Sequence, residues 1–146
     1  PSDVVEKDYG CGDPTRWVQQ SDNVLDLGSG SAILSIVADK LGYKKITAIE
    51  NDLVCKEDIE YNLKINNSNS INVCFDDALK WNNFNYDIVL ANIEKKIIKE
   101  IIKNVNRTNA RFIFSGLLKE DEKEIIDHLY RNQFHLLNYK NLITVF

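Results

Sequence analysis

An open α/β sheet of mostly parallel strands is the fold class this sequence predicts, and three observations carry it. Apolar runs alternate with amphipathic ones along the chain, as when parallel strands are separated by covering helices. The first run, Val24-Leu25-Asp26-Leu27, opens into Gly28-Ser29-Gly30, where two glycines let backbone N–H groups approach a ligand that any Cβ would obstruct. The second, Ile46-Thr47-Ala48-Ile49, closes on Glu50, a carboxylate roughly twenty residues beyond the turn. Strand, glycine turn, helix and acid-ended strand together are the layout of a nucleoside-cofactor site.

The elements follow in order. Strands are expected at about 23–27, 45–50, 71–75, 86–91, 110–116, 134–139 and 141–146, with helices near 32–41, 52–66, 93–105 and 119–132. Asn66-Asn67-Ser68-Asn69-Ser70 is a loop by composition. Tyr86-Asp87-Ile88-Val89-Leu90-Ala91-Asn92-Ile93 reads as the fourth strand. In the helix after it, Ile97, Ile98, Ile101, Ile102 and Val105 share one face, while Lys95, Lys96, Lys99 and Lys103 read as a solvated one. The last two strands are adjacent in sequence, as an antiparallel pair would be. The whole is a Rossmann-like, seven-stranded, mostly parallel sheet with helices on both faces and an antiparallel C-terminal pair.

Composition bounds the function. A chain of 146 residues is expected to form one domain, 1–146, with residues 1–22 as a lead-in that covers the cofactor cleft. It holds no eighteen-residue apolar run and no basic segment followed by an apolar one, so a soluble, cytoplasmic protein is expected. A net charge of -4 argues against indiscriminate nucleic-acid binding. Cys11, Cys55 and Cys74 have neither disulfide-framework nor zinc-site spacing, and His128 and His135 stand isolated, so no metal is expected.

The choice of cofactor turns on detail. A dinucleotide site places a small residue three positions after the second glycine, and here that position holds the bulky Ile33. No phosphate-binding G-x-x-x-x-G-K-[ST] is present. Asp26, two places before Gly28, suits a ligand with an ammonium group, and S-adenosylmethionine has one, with an adenosine and no phosphate. In such sheets ligands sit beyond the carboxyl ends of the strands, where Gly28, Glu50, Asp77 and Asn92 would converge.

VLDLGSGSA followed by AIEND resembles motif one and the acidic strand of class I S-adenosylmethionine-dependent methyltransferases, with Ala32 in place of the usual third glycine. YDIVLANI, an isoleucine-lysine helix and FIFSGLL further resemble the ribosomal-protein lysine methyltransferase family. So does the lead-in Tyr9-Gly10-Cys11-Gly12-Asp13-Pro14-Thr15, although Cys11 replaces a threonine and a histidine is missing. The resemblance implies a cofactor site of Tyr9, Gly10, Asp26, Gly28, Ser29, Gly30, Glu50, Asn51, Asp76, Asp77, Ala78 and Asn92. Glu50 would take the ribose hydroxyls. Asp77, favoured over Asp76, would take the adenine amino group, with Ala78 offering a backbone N–H. Asp77 also suits a second role, capping the turn from Ala78 to Trp81.

Asn92 is the expected catalytic residue, orienting an acceptor amine for in-line displacement at the sulfonium methyl. Its alternative role is as a cap near Glu94. Where adenine- and glutamine-directed enzymes carry Asn/Asp-Pro-Pro-Tyr/Phe, this chain has Asn92-Ile93-Glu94, which disfavours a stacked planar acceptor. A lysine amine, with a pKa of about 10.4 in water, must be neutral to attack. The family's N-terminal recognition domain is not in this sequence, so a partner subunit for substrate recognition is expected. A protein substrate is the leading reading. A small molecule, RNA, or a non-catalytic cofactor-binding role stand as alternatives.

Overall fold

The computed structural model describes residues 19–106, 108–138 and 143–145. Five parallel strands form its centre: β1 (Asn23–Leu27), β2 (Lys45–Glu50), β3 (Asn72–Phe75), β4 (Ile88–Asn92) and β5 (Arg111–Ser115). The helices between and after them are α1 (Ile33–Lys40), α2 (Lys56–Ile65), α3 (Lys95–Asn104) and α4 (Glu122–Arg131). Two short strands, β6 (Leu136–Asn138) and β7 (Ile143–Val145), run antiparallel beyond β5, giving the order β3-β2-β1-β4-β5-β7-β6. The Rossmann-like α/β class therefore holds. The strand order reverses between β1 and β4, so the crevice of the fold opens at their carboxyl ends.

Period-two alternation divides the sheet into two cores. Val24, Ile46, Ala48, Ile88 and Ile113 face α1 and α2, where they bury Ile36, Ala38 and Ile59. Leu25, Leu27, Ile49, Val89, Ala91, Phe112 and Phe114 face the other way, onto Ile98, Ile101 and Ile102 of α3 and Ile125 and Leu129 of α4. Helices thus cover both faces, and β1 is buried on each side, which explains its nearly continuous apolar run.

Three details differ from the expectation. The helix expected over 52–66 begins instead as a 3₁₀ turn, Leu53–Cys55, because Asp52 Oδ1 accepts the Val54 N–H at 2.9 Å and caps a separate short element. The fourth strand is displaced toward its C-terminus, starting at Ile88 and including Asn92. Asp87, expected inside it, instead accepts the Asn23 N–H through its carboxylate at 2.8 Å.

The lysine face of α3 is also not simply solvated. Lys95 Nζ reaches Asp121 Oδ1 at 2.7 Å and Glu124 Oε2 at 2.9 Å, and Lys99 Nζ reaches Glu124 Oε1 at 2.6 Å. His128 Nε2 lies 3.0 Å from the Lys99 carbonyl. These contacts clasp α3 to α4 along the rim of the core.

Hydrogen bonds from Lys99 and Lys95 pull the Glu124 carboxyl from its ordinary 4.5 to about 2. Folding lowers this pKa, so the clasp contributes fully above pH 4.5 and is lost as pH falls through about 2. Carboxyl-carbon NMR should show Glu124 titrating well below 4.5, with 1 M salt moving its midpoint back toward that ordinary value. An ordinary midpoint at low salt would show that the clasp does not form in solution.

Candidate functional site

The site begins where β1 runs out. Gly28 and Gly30 hold φ of 66° and 56°, the left-handed region that favours glycine. They differ in what surrounds them. A Cβ on Gly28 would collide with Ile93 Cγ2, so this glycine is needed for the β4 end to close over the turn. A Cβ on Gly30 would meet nothing within 4 Å among the described residues, which leave space on its outer face.

Glu50, only 7% exposed, grips this turn from the end of β2. Its Oε2 accepts the Gly30 N–H at 2.7 Å and its Oε1 the Asp52 N–H at 2.9 Å. The Ser29 N–H bonds the Ile49 carbonyl at 3.0 Å, a second tie between the two strand ends. The Ser29 hydroxyl is buried and has no hydrogen-bond partner among the described residues. A buried unpaired polar atom costs stability unless something else satisfies it.

At the end of β3, the Asp76 N–H donates to the Glu50 carbonyl at 3.1 Å, and Asp76 Oδ1 accepts the Asp77 N–H at 2.7 Å. Asp77 takes the capping role: its Oδ1 accepts the Leu79 N–H at 2.9 Å and its Oδ2 lies 3.7 Å from Lys80 Nζ. Ala78 is half-buried against the core, while Asn51 and Asn92 are exposed. Asn92 does not cap α3, whose N-cap is Glu94 with no side-chain cap bond. Its side chain instead lies over Gly116, just past β5. Parallel order 3-2-1-4 thus brings Gly28, Glu50, Asp77 and Asn92 to one edge. Tyr9 and Gly10, with the rest of the lead-in through residue 18, lie outside the described residues.

Two expectations require correction. Ile33 was expected to obstruct the tight packing of a dinucleotide turn, but its side chain is 60% exposed. The packing position is Ala32, fully buried with a left-handed φ of 64°, a conformation that costs a non-glycine residue about 1 kcal/mol or more. Asp26 was expected to face a ligand ammonium, yet it is 1% exposed and its Oδ2 accepts the Ser35 hydroxyl at 2.6 Å. Strand alternation turns Asp26 toward α1, together with Val24, whereas the crevice opens beyond the strand end.

A profile of the ribosomal protein L11 methyltransferase (PrmA) family matches residues 14–142. The chain belongs to this family. It is 38% identical over 130 residues to the ribosomal protein L11 methyltransferase of Staphylococcus carnosus and 39% identical over 140 residues to that of Prochlorococcus marinus. Those alignments cover 84% and 89% of this chain but 41% and 46% of the relatives, so the chain spans under half the length of the curated relatives it matches. The crystal structure of the ribosomal protein L11 methylase of Lactobacillus delbrueckii subsp. bulgaricus superposes with a TM-score of 0.76 at 26% identity, covering 90% of this chain and 71% of that one. A glycopeptide N-methyltransferase complexed with S-adenosyl-L-homocysteine shares the fold, with a TM-score of 0.68 at 13% identity over 90% of this chain and 84% of that one.

For this member of the PrmA family, Asp26 is a buried electrostatic element behind the turn. Burial pushes its carboxyl from 3.8 up to about 6, opposed by the Ser35 hydroxyl and backbone N–H and aided by the charge of Glu50. Because folding raises this pKa, the native chain holds the proton more tightly than the unfolded one. The contribution is full below pH 3.8 and lost as pH rises through about 6, on the order of 3 kcal/mol in all. Asp26→Asn should remove this dependence. In urea unfolding, its stability relative to the parent should improve by roughly that amount between pH 4 and pH 7.5, and a difference flat with pH would refute the assignment.

Proposed function

We propose that the chain is a methyltransferase that uses S-adenosylmethionine and delivers the methyl group to an amino group of a protein, with ribosomal protein L11 as the substrate class. The observation that carries it is the meeting of Glu50, the open face of Gly30 and Asn92 at adjoining strand ends, in a chain of the PrmA family. A cytoplasmic location follows from such a substrate. Recognition beyond the cleft is assigned to a further domain or a partner subunit. The antiparallel pair beyond β5 is read as part of the same architecture, completing the seven-stranded sheet.

The residues present fit the cofactor. Each oxygen of Glu50 holds one N–H and keeps lone-pair capacity for a hydroxyl donor, as a ribose diol requires. Among the described residues the Ser29 hydroxyl has no partner and the outer face of Gly30 is open, a polar contact and room beside it. Asn51, Asp76, Asp77 and Ala78 would border the adenine, and Tyr9 and Gly10 would cover the cleft. Gly28 shapes the turn, and Asp26 supports it from between β1 and α1.

When bound, S-adenosylmethionine supplies a methyl group already activated by the sulfonium charge, so the protein's contribution is alignment and partial desolvation. Asn92 orients the acceptor amine through its amide oxygen. Desolvation at the cleft favours the neutral, nucleophilic form of a lysine amine. Incubation with methyl-labelled cofactor, recombinant bacterial ribosomal protein L11 and a fractionated lysate tests the reading. Label in L11 is the expected result; label confined to RNA or a small solute, or no transfer, overturns it.

Two substitutions divide binding from turnover. Calorimetry should show binding of S-adenosylmethionine and its demethylated product but not NAD, with Glu50→Ala weakening the former by about 1–3 kcal/mol. Normal affinity in a folded Glu50→Ala chain would remove the ribose assignment. Asn92→Ala should keep cofactor affinity while lowering turnover on the order of tenfold or more. Unchanged turnover with a lower melting temperature would make Asn92 a structural residue only.

A further inference from the structure

The end of β4 is seated on two glycines, one on each side. β4 lies between β1 and β5, with Leu27 opposite Ala91 and Ser115 opposite Asn92. The glycines that follow those flanking strands, Gly28 and Gly116, both have positive φ, 66° and 78°. Ile93 Cγ2 occupies the place a Cβ would take on Gly28, and Asn92 Oδ1 the place a Cβ would take on Gly116. A Cβ on Gly116 would also stand 3.6 Å from Asn92 Cγ and 3.7 Å from the Ile93 backbone N. The last residue of β4 and the one after it therefore lie over the ends of both flanking strands, in space left by two missing side chains.

We infer that Gly116 is a positioning residue for methyl transfer: its bare backbone is the seat on which the Asn92 amide rests, and any side chain there turns the amide away from the acceptor. This rests on the proposed role of Asn92. An exposed asparagine at a strand end is otherwise free to sample several rotamers, and ordering it costs entropy. Packing against the flat Gly116 backbone restricts that choice before any substrate arrives. Asn92 ends in a short side chain that can swing aside, so a Cβ at Gly116 redirects the amide more readily than it disrupts the sheet. Reaction rates depend steeply on such alignment.

The test uses the 146-residue chain with methyl-labelled S-adenosylmethionine, recombinant bacterial ribosomal protein L11 and the same fractionated lysate, comparing Gly116→Ala, Asn92→Ala and the double variant. Gly42→Ala serves as a control for strain, since Gly42 also has a positive φ, of 97°, but packs against Gln20. Gly116→Ala is expected to lower kcat on the order of tenfold per folded molecule, with cofactor affinity within about twofold. It should add no further loss in the Asn92→Ala background. The side-chain amide NMR signal that disappears in Asn92→Ala should shift in Gly116→Ala. Gly42→Ala should lose stability and change neither readout.

Losses that multiply in the double variant, or an unshifted Asn92 amide signal, would overturn the inference. Unchanged turnover in Asn92→Ala would instead refute the role of Asn92 in catalysis and with it that of Gly116, leaving the amide signal to report the seat alone.

Discussion

One carboxylate holds the two halves of the crevice together. Glu50 stands at the end of β2 and engages both oxygens with backbone N–H groups, one from the glycine turn after β1 and one from Asp52, two residues along the next connection. Charge-assisted bonds of this kind are stronger than neutral ones, and here they fix a loop with left-handed residues at positions 28, 30 and 32. Without that hold, a turn of this conformation would lose much of its definition, because glycine gains the most entropy when released. The same group is the acceptor proposed for the ribose, so loop geometry and ligand recognition share one atom pair.

Behind the turn, burial does a different job. Asp26 is sealed between β1 and α1 and bonded to Ser35, which ties the helix to the strand directly behind the glycines. A carboxyl kept there is costly when ionised, and its retention makes the region sensitive to pH. Ala32 adds backbone strain at the helix N-cap. The strain at Ala32 and the buried carboxyl of Asp26 therefore meet at the loop the proposed chemistry needs.

The crevice wall is built by subtraction. Ile93 and Asn92 fit against β1 and β5 because Gly28 and Gly116 have no side chains to exclude them. Immediately beyond this edge, at the start of α3, Lys95 and Lys99 pair with Asp121 and Glu124 and tie α3 to the chain around α4, beside the core of Ile98, Ile102, Ile125 and Leu129. Both devices act where β4 passes into α3.

The five parallel strands, the four helices, the glycine turn and the acid-ended β2 were legible in the sequence because each is signalled locally, by apolar runs, period-two or helical spacing, and residues that permit positive φ. Membership of the PrmA family was legible for the same reason, carried by short motifs at strand ends. What only the tertiary structure decided is which partner each polar or small residue meets. Asp26 looked like a ligand contact and faces Ser35; Ile33 looked obstructive and is exposed; Lys95 and Lys99 looked solvated and cross to α4. Gly116 was visible only as part of the FIFSGLL match, and its importance depends on Asn92 arriving beside it from a strand more than twenty residues earlier. Sequence spacing determines which face a side chain leaves from, whereas what it touches depends on the neighbouring strand or helix, which long-range pairing alone brings into place.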